Sequence, residues 1–115
     1  MKNFDYERLD VYQAAIEIIT LVEKLTQKRP KGKAHLADQL QRAASSVVLN
    51  ISEGAGEFSA NEKVRFYRMA RRSATECASI IDIYKQLSLS SEQALAELRH
   101  LLLRVVSMLS KLARN

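Results

Sequence analysis

Residues 59–87 read "SANEKVRFYRMARRSATECASIIDIYKQL", and this stretch decides the fold class. Its apolar residues recur at steps of three and four, which places them along one face of an α-helix. Ser59 and Glu62 form an S-x-x-E capping box, which is typical of a helix N-terminus. We therefore predict a long amphipathic helix whose buried stripe consists of Tyr67, Ala70, Ala74, Cys77, Ile81 and Tyr84.

Three further segments, residues 10–29, 34–54 and 90–113, have the same helical period, and strand-like alternation is missing. Asp10 with Gln13, and Ser90 with Gln93, predict two more N-terminal capping boxes. The stripes of these helices are Val11, Ala15, Ile18, Val22 and Leu25; Leu36, Leu40, Ala44, Val47 and Ile51; and Leu95, Leu98, Leu102, Val105, Leu109 and Leu112.

Two glycines in "NISEGAGEFS" (50–59) separate the second and third predicted helices. A phosphate-binding P-loop requires a preceding strand, a longer glycine-rich run and a Lys-Ser/Thr ending, and none of these occurs here. We expect instead that Gly54 or Gly56 adopts the left-handed conformation that ends the second helix. The stretch is then a hinge between two helices.

The four stripes together predict an all-α protein. Alternating steps of three and four favour left-handed, nearly antiparallel packing, and short connections make successive helices antiparallel neighbours. The expected architecture is an antiparallel up-down-up-down four-helix bundle, with residues 1–115 forming a single domain. No internal repeat or low-complexity segment interrupts it.

Three of the predicted helices carry more apolar surface than one core requires, since a surface helix needs an apolar stripe only about 100° wide. One interpretation is that these residues only widen the core. The other is that the chain assembles as a cyclic homo-oligomer, because a large exposed apolar patch is unusual on a monomer. The predicted interface residues are Tyr12, Ile16, Ile19, Phe66, Met69, Leu101, Val106 and Met108, with Ile80, Ile83 and Leu103 on the same second faces.

The sequence offers little for catalysis or metal binding. His35 and His100 lie on different predicted helices, and no metal-ligand spacing occurs. Cys77 falls on a buried stripe, where a small core residue is expected rather than a nucleophile. We predict a non-enzymatic protein without catalytic residues, metal or cofactor. No apolar run reaches the length of a membrane helix and no secretory signal is present, which favours a cytoplasmic location.

The strongest functional signal is the basic segment 63–73, "KVRFYRMARRS", in a chain of net charge +5. Arginine predominates there, and its planar guanidinium binds phosphate through two parallel hydrogen bonds. We predict sequence-independent binding of a nucleic-acid backbone. The alternative is a solvated basic face whose arginines pair with Glu53, Glu57 or Glu76. The predicted nucleic-acid-binding residues are Lys63, Arg65, Arg68, Arg71, Arg72, Arg42, Lys111 and Arg114.

Polar residues near the end of the second helix need partners. Glu53 lies in the last turn, where the helix dipole disfavours an anion, and Asn50 borders the buried stripe. One interpretation is a structural polar network that holds the second and third helices together and contains Asn50, Glu53, Ser73 and Glu76. The other is a functional polar site at that end of the bundle.

Three motifs resemble the 23S ribosomal RNA intervening-sequence family of four-helix-bundle proteins. They are "RAASSVVLNISEG" (42–54), "SANEKVRFYRMARRSATE" (59–76) and "LDVYQAA" (9–15). Val48 stands where the family pattern has proline, and Arg72 stands where it has a small residue. The family signature falls on Arg42, Ser46, Asn50, Glu53, Gly54, Arg65, Phe66, Ala70, Ser73 and Glu76.

This resemblance implies a four-helix bundle that is commonly a homopentamer and has no established enzymatic activity. It also implies similarity to accessory proteins of diversity-generating retroelements, in which a basic pentamer binds nucleic acid and a reverse transcriptase. The functional prediction is an oligomeric nucleic-acid-binding accessory protein that assists a reverse transcriptase. The alternative is an oligomeric protein-interaction scaffold with no direct nucleic-acid role.

Overall fold

The computed structural model describes residues 3–114, and they form four α-helices with no strand in that range. The helices are α1 (Asp10–Thr26), α2 (Ala34–Ala55), α3 (Ala60–Gln86) and α4 (Glu92–Leu112). A short 3-10 helix, Asp5–Arg8, precedes α1. The predicted all-α class is confirmed, and each predicted helix is present with its ends moved by up to three residues.

The four helices enclose one hydrophobic cluster. Each helix contacts two others, so that contacts run from α1 to α2, α2 to α3, α3 to α4 and α4 back to α1. The contact between α2 and α3 is the most extensive of these. The predicted stripes are buried in the cluster, except that Leu25 is half-buried and Leu112 is exposed.

The first helix ends three residues earlier than predicted, at Thr26. The hydroxyl of Thr26 donates to the carbonyl oxygen of Val22 at 2.7 Å and accepts from the side-chain amide of Gln41 at 2.9 Å. Because the residue before a proline is disfavoured in the α region, the chain leaves the helix before Arg29 and Pro30. Arg29 instead pairs with Asp38 of α2 at 2.7 Å.

Only one of the three predicted capping boxes has the expected N-cap residue. Ser59 caps α3, since its hydroxyl accepts from the backbone N–H of Glu62. The prediction for Asp10 was wrong, because Leu9 occupies the N-cap of α1 and the 3-10 helix leads directly into it. The prediction for Ser90 was also wrong: Ser91 caps α4 and accepts from the N–H of Ala94 at 3.2 Å.

Neither Gly54 nor Gly56 is left-handed, so the predicted conformation of the α2–α3 turn was wrong. Gly54 lies inside α2, and Gly56 follows it with a φ of −85°. Gly54 is needed for close packing, because a Cβ there would lie 2.8 Å from Cε1 and 2.9 Å from Cδ1 of Tyr67. The left-handed residues of the described range are Gly32, with a φ of 78°, and Ser88, with a φ of 54°.

Candidate nucleic-acid interface

Three arginines of α3 share a solvent-facing groove. Arg68, Arg71 and Arg72 are all exposed, and with Thr75 they follow one face because residues three and four apart are neighbours on a helix. The groove is open and shallow, and its lining is Arg68, Arg71, Arg72, Thr75, Glu76 and Ser79. The arrangement concentrates three guanidinium groups over about one turn of helix.

These three arginines are not paired with acidic side chains. The ion pairs among residues 3–114 are Arg29 with Asp38 and Arg65 with Glu62. The pairing of the α3 arginines with Glu53, Glu57 or Glu76 that the sequence also allowed is therefore not found in this range. The hydrogen-bonding capacity of Arg68, Arg71 and Arg72 is directed to solvent.

Two other basic residues of segment 63–73, Lys63 and Arg65, form hydrogen bonds within the protein. The ammonium of Lys63 donates to the carbonyl oxygens of Ala55 at 2.9 Å and Gly54 at 3.3 Å. Those carbonyls belong to the last turn of α2, where the intrahelical N–H donors run out, although the Gly54 carbonyl also accepts from the backbone N–H of Glu57 at 3.2 Å. Lys63 therefore caps the C-terminus of α2, where the helix dipole also favours a cation.

Arg65 is engaged with its neighbours on α3. Its guanidinium nitrogens reach both carboxylate oxygens of Glu62, at 3.0 to 3.3 Å, and its Cζ lies 4.5 Å from the centre of the Phe66 ring. The hydrogen bond from Arg65 lowers the pKa of Glu62, and the same bond raises the pKa of Arg65. Both side chains are exposed, so the pair stabilises the fold little.

The remaining predicted phosphate contacts lie on other helices. Arg42 is exposed on α2 and lines a shallow groove with Ser45, Ser46 and Leu49. Lys111 is in the last turn of α4, and Arg114 follows the helix, both exposed.

Part of the predicted polar network forms between α2 and α3. The hydroxyl oxygens of Ser46 and Ser73 lie 2.8 Å apart, and the Asn50 amide donates to the carbonyl and hydroxyl oxygens of Ser46 at 2.9 and 3.0 Å. Ser46 is the link that joins Asn50 to Ser73. The network prediction did not include it, although the family signature did.

The two carboxylates of the predicted network, Glu53 and Glu76, make no hydrogen bond to Ser46, Asn50 or Ser73 in the described range. Glu76 accepts from the side-chain amide of Gln39 at 3.4 Å. Glu53 is exposed and makes no side-chain hydrogen bond or ion pair within residues 3–114, so its predicted place in the network was wrong. Its position one turn beyond Asn50 leaves it directed to solvent, where water satisfies the charge.

The predicted apolar interface divides into exposed and buried residues. Leu101 is 7% exposed and belongs to the core of the chain itself, as does Ile80. Tyr12, Ile19, Phe66, Val106 and Met108 are half-buried, while Ile16 and Met69 are exposed. The largest exposed apolar side chains also include Phe58, which is fully exposed in the α2–α3 turn, together with Leu49 and Leu103.

Cys77 and Tyr84 are the buried groups with potential chemistry. Burial raises the pKa of the Cys77 thiol to about 12, so the nucleophilic thiolate does not form at neutral pH. The Tyr84 hydroxyl is buried without a hydrogen-bond partner in the described range, and burial raises its pKa. Within residues 3–114, no three potential metal-ligating side chains lie together, and no helix has the length and hydropathy to cross a membrane.

A comparison with known protein families identifies the family of this chain. The profile described as 23S rRNA-intervening sequence protein matches residues 7–111, which is almost the whole chain. The chain belongs to the 23S rRNA-intervening sequence protein family. A search of curated proteins returned no match.

This 23S rRNA-intervening sequence protein departs from the family pattern at Val48 and Arg72, and the structure shows the surroundings of both residues. Val48 packs against the core and α2 continues unbroken from Ala34 to Ala55, so the absence of proline agrees with a continuous helix. Arg72 is exposed beside Ser73 and lines a cavity between α2 and α3. The second departure thus adds a guanidinium to the basic face.

Proposed function

We propose that this protein is a non-enzymatic, oligomeric nucleic-acid-binding accessory protein of the cytoplasm. The observation that carries the proposal is the row of Arg68, Arg71 and Arg72, exposed on one face of α3 and free of carboxylate partners within residues 3–114. The phosphate-binding surface consists of these three arginines, with Arg42 on the neighbouring helix. Lys63 is held by the end of α2 and Arg65 by Glu62, so neither is counted in this surface.

The chemistry of this surface suits a phosphate backbone. Each guanidinium can donate two parallel hydrogen bonds to phosphate oxygens, and each neutralised phosphate releases counterions. The groove contains no exposed aromatic side chain on which a base could stack. We therefore expect binding that depends on salt and little on sequence.

The bundle presents this surface with successive helices antiparallel. Three hydrogen bonds between α2 and α3 support this orientation: Gln39 with Glu76, Ser46 with Ser73, and Ala55 with Lys63. The residue numbers increase along α2 while those of the partners decrease along α3, as in an antiparallel pair. Oligomerisation through the exposed apolar residues repeats the basic face in each copy, which raises the affinity for a long polyanion through multivalency.

The family name directs the choice of ligand and partner. The name refers to an intervening sequence of 23S ribosomal RNA, so structured RNA is the first ligand to test. The resemblance described above adds a homopentamer and a reverse transcriptase partner to the proposal.

A second candidate is an oligomeric protein-interaction scaffold. The observation that favours it is the set of large apolar side chains left exposed, above all Phe58 in the α2–α3 turn and Leu49 at 62% exposure. Glu53 and Glu57 flank that turn, so its charge does not favour a polyanion.

The test is a filter-binding titration with RNA, single-stranded DNA and double-stranded DNA at several salt concentrations. Replacing Arg68 and Arg72 together with alanine should weaken binding and flatten the slope of log K against log salt by up to about 2. The matched control is Arg99→Ala with Arg104→Ala, which removes the same charge from exposed positions of α4.

The control separates a local surface from the general charge of the protein. The proposal requires that the α3 double variant lose far more affinity than the α4 double variant. Equal losses would show that net charge alone attracts nucleic acid, and no binding by the unaltered protein would favour the scaffold.

A further inference from the structure

The α2–α3 seam is a small surface pocket, open to solvent, that is lined mainly by polar side chains from both helices. Its volume is about 360 Å³. The lining, which defines the seam hereafter, consists of Ser46, Asn50, Met69, Arg72, Ser73 and Glu76. The two serines and Asn50 are half-buried, and their side chains are joined by hydrogen bonds through Ser46.

The seam contains one hydroxyl proton without an acceptor in the described range. The Asn50 amide donates to Ser46 Oγ, and a single proton joins Ser46 Oγ to Ser73 Oγ. Two hydroxyl protons are present, because each serine carries one. If Ser46 donates to Ser73, the Ser73 proton is free, and in the opposite arrangement the Ser46 proton is free.

Arg72 brings positive charge to the same place. It is exposed, forms no ion pair within residues 3–114, and lines both the seam and the outer arginine groove. A guanidinium beside a free hydroxyl donor is the combination that an oxyanion requires for charge neutralisation and hydrogen bonding. Arg71, its neighbour, lines the outer groove and not the seam.

Glu76 is the group in the seam that opposes an anion. Its carboxylate accepts from Gln39 at 3.4 Å, which holds one oxygen toward α2. Its negative charge must still repel a phosphate in the same cavity. The carboxylate therefore limits the affinity of the seam and provides a directional test.

We infer that the α2–α3 seam holds one phosphate group of the bound nucleic acid, with Arg72 and a serine hydroxyl as its ligands. Asn50 is a positioning residue, since both of its amide hydrogen bonds go to Ser46. This inference rests on the proposed function. It adds one defined phosphate-binding site to a surface that otherwise attracts phosphates by charge. The other arginines bind the neighbouring phosphates along the backbone.

The first experiment uses inorganic phosphate as the probe and NMR of the unaltered protein at constant ionic strength. Saturable shifts of the Asn50 side-chain amide and the Arg72 Nε–H are expected, with smaller shifts at Arg71. Glu76→Gln should tighten phosphate binding at least twofold, because it removes a like charge. Equal, unsaturated shifts at all arginines would overturn the inference.

The second experiment is a double-mutant cycle on RNA binding. Arg72→Ala is combined with a variant that carries both Ser46→Ala and Ser73→Ala, which removes both hydroxyls. Groups that bind one phosphate should be coupled by about threefold or more in Kd. The control cycle replaces Arg72→Ala with Arg71→Ala and should be additive, and thermal unfolding verifies that each variant is folded.

The two experiments distinguish the phosphate site in the seam from the proposed nucleic-acid-binding function. RNA binding with an additive Arg72 cycle and no phosphate shifts at the seam overturns the inference and leaves the proposed function standing. Saturable phosphate binding at the seam without any nucleic-acid binding supports the phosphate site and contradicts the proposed function.

Discussion

At the scale of single residues, Gly54 shows how a packing neighbour determines which residue type fits at a position in a helix. Alanine is the better helix former by about 1 kcal/mol. The ring of Tyr67 nevertheless lies where a Cβ would stand, and Cβ of Phe66 is 3.1 Å away. Since Tyr67 is itself buried, the ring has little room to withdraw.

We predict that Gly54→Ala destabilises the protein by about 1–3 kcal/mol, the usual cost of overpacking a core. Urea unfolding measures the change. Gly56→Ala is the matched control, because its added Cβ would meet atoms no closer than 3.6 Å at an ordinary φ. That variant should be neutral or slightly stabilising, and equal effects at the two positions would contradict the packing argument.

At the scale of secondary-structure elements, helix ends depend on which of several equivalent residues acts as the cap. Ser90 and Ser91 are adjacent and chemically identical, yet α4 begins at Glu92 with Ser91 as its N-cap. Ser90 is half-buried and lines a groove that Leu21 and Leu25 of α1 also line. The structure, and not the local sequence, therefore decides which of the two serines caps α4.

We predict that Ser91→Ala lowers the free energy of unfolding by about 0.5–2 kcal/mol, because the N–H of Ala94 loses its acceptor. Ser90→Ala removes the same atom from the adjacent residue and should cost much less. Thermal or urea unfolding of both variants gives the comparison. A larger loss for Ser90→Ala would place the cap one residue earlier.

At the scale of the whole molecule, the apolar side chains left on the surface bear on assembly. Leu103 is 54% exposed on α4 and Ile16 is 39% exposed on α1, two helices that are in contact. Burial of such side chains between copies would contribute about 25 cal/mol for each Å² of apolar surface removed from water. These residues are the clearest remaining candidates for the oligomer interface.

We predict that the unaltered protein is an oligomer at micromolar concentration and that Ile16→Glu with Leu103→Glu dissociates it, because charges would be buried without partners. Light scattering measures both states. Ala96→Glu introduces a charge at another exposed position of α4 and should leave the oligomer intact. A monodisperse monomer for the unaltered protein would overturn the prediction.

The periodicity of the apolar residues was sufficient to predict the four helices and most of the core, although Ile80 and Leu101, predicted to lie on a second face, are buried within the chain. This succeeds because an apolar stripe must be removed from water whatever it packs against, so burial is encoded in the spacing itself. Helix spacing likewise placed Arg65, Arg68 and Arg72 on one face with Arg71 beside it, but it did not show that Arg65 pairs with Glu62.

Tertiary structure decided which partner each side chain meets, since that depends on residues distant in sequence. Lys63 and Arg68 are equally basic in the sequence, but the end of α2 gives carbonyl acceptors to Lys63 and none to Arg68. Packing against Tyr67 explains Gly54, which local conformation did not. The sequence by itself determined the helices and their buried faces, whereas the contact of α2 with α3 decided which polar groups were satisfied and which remained free.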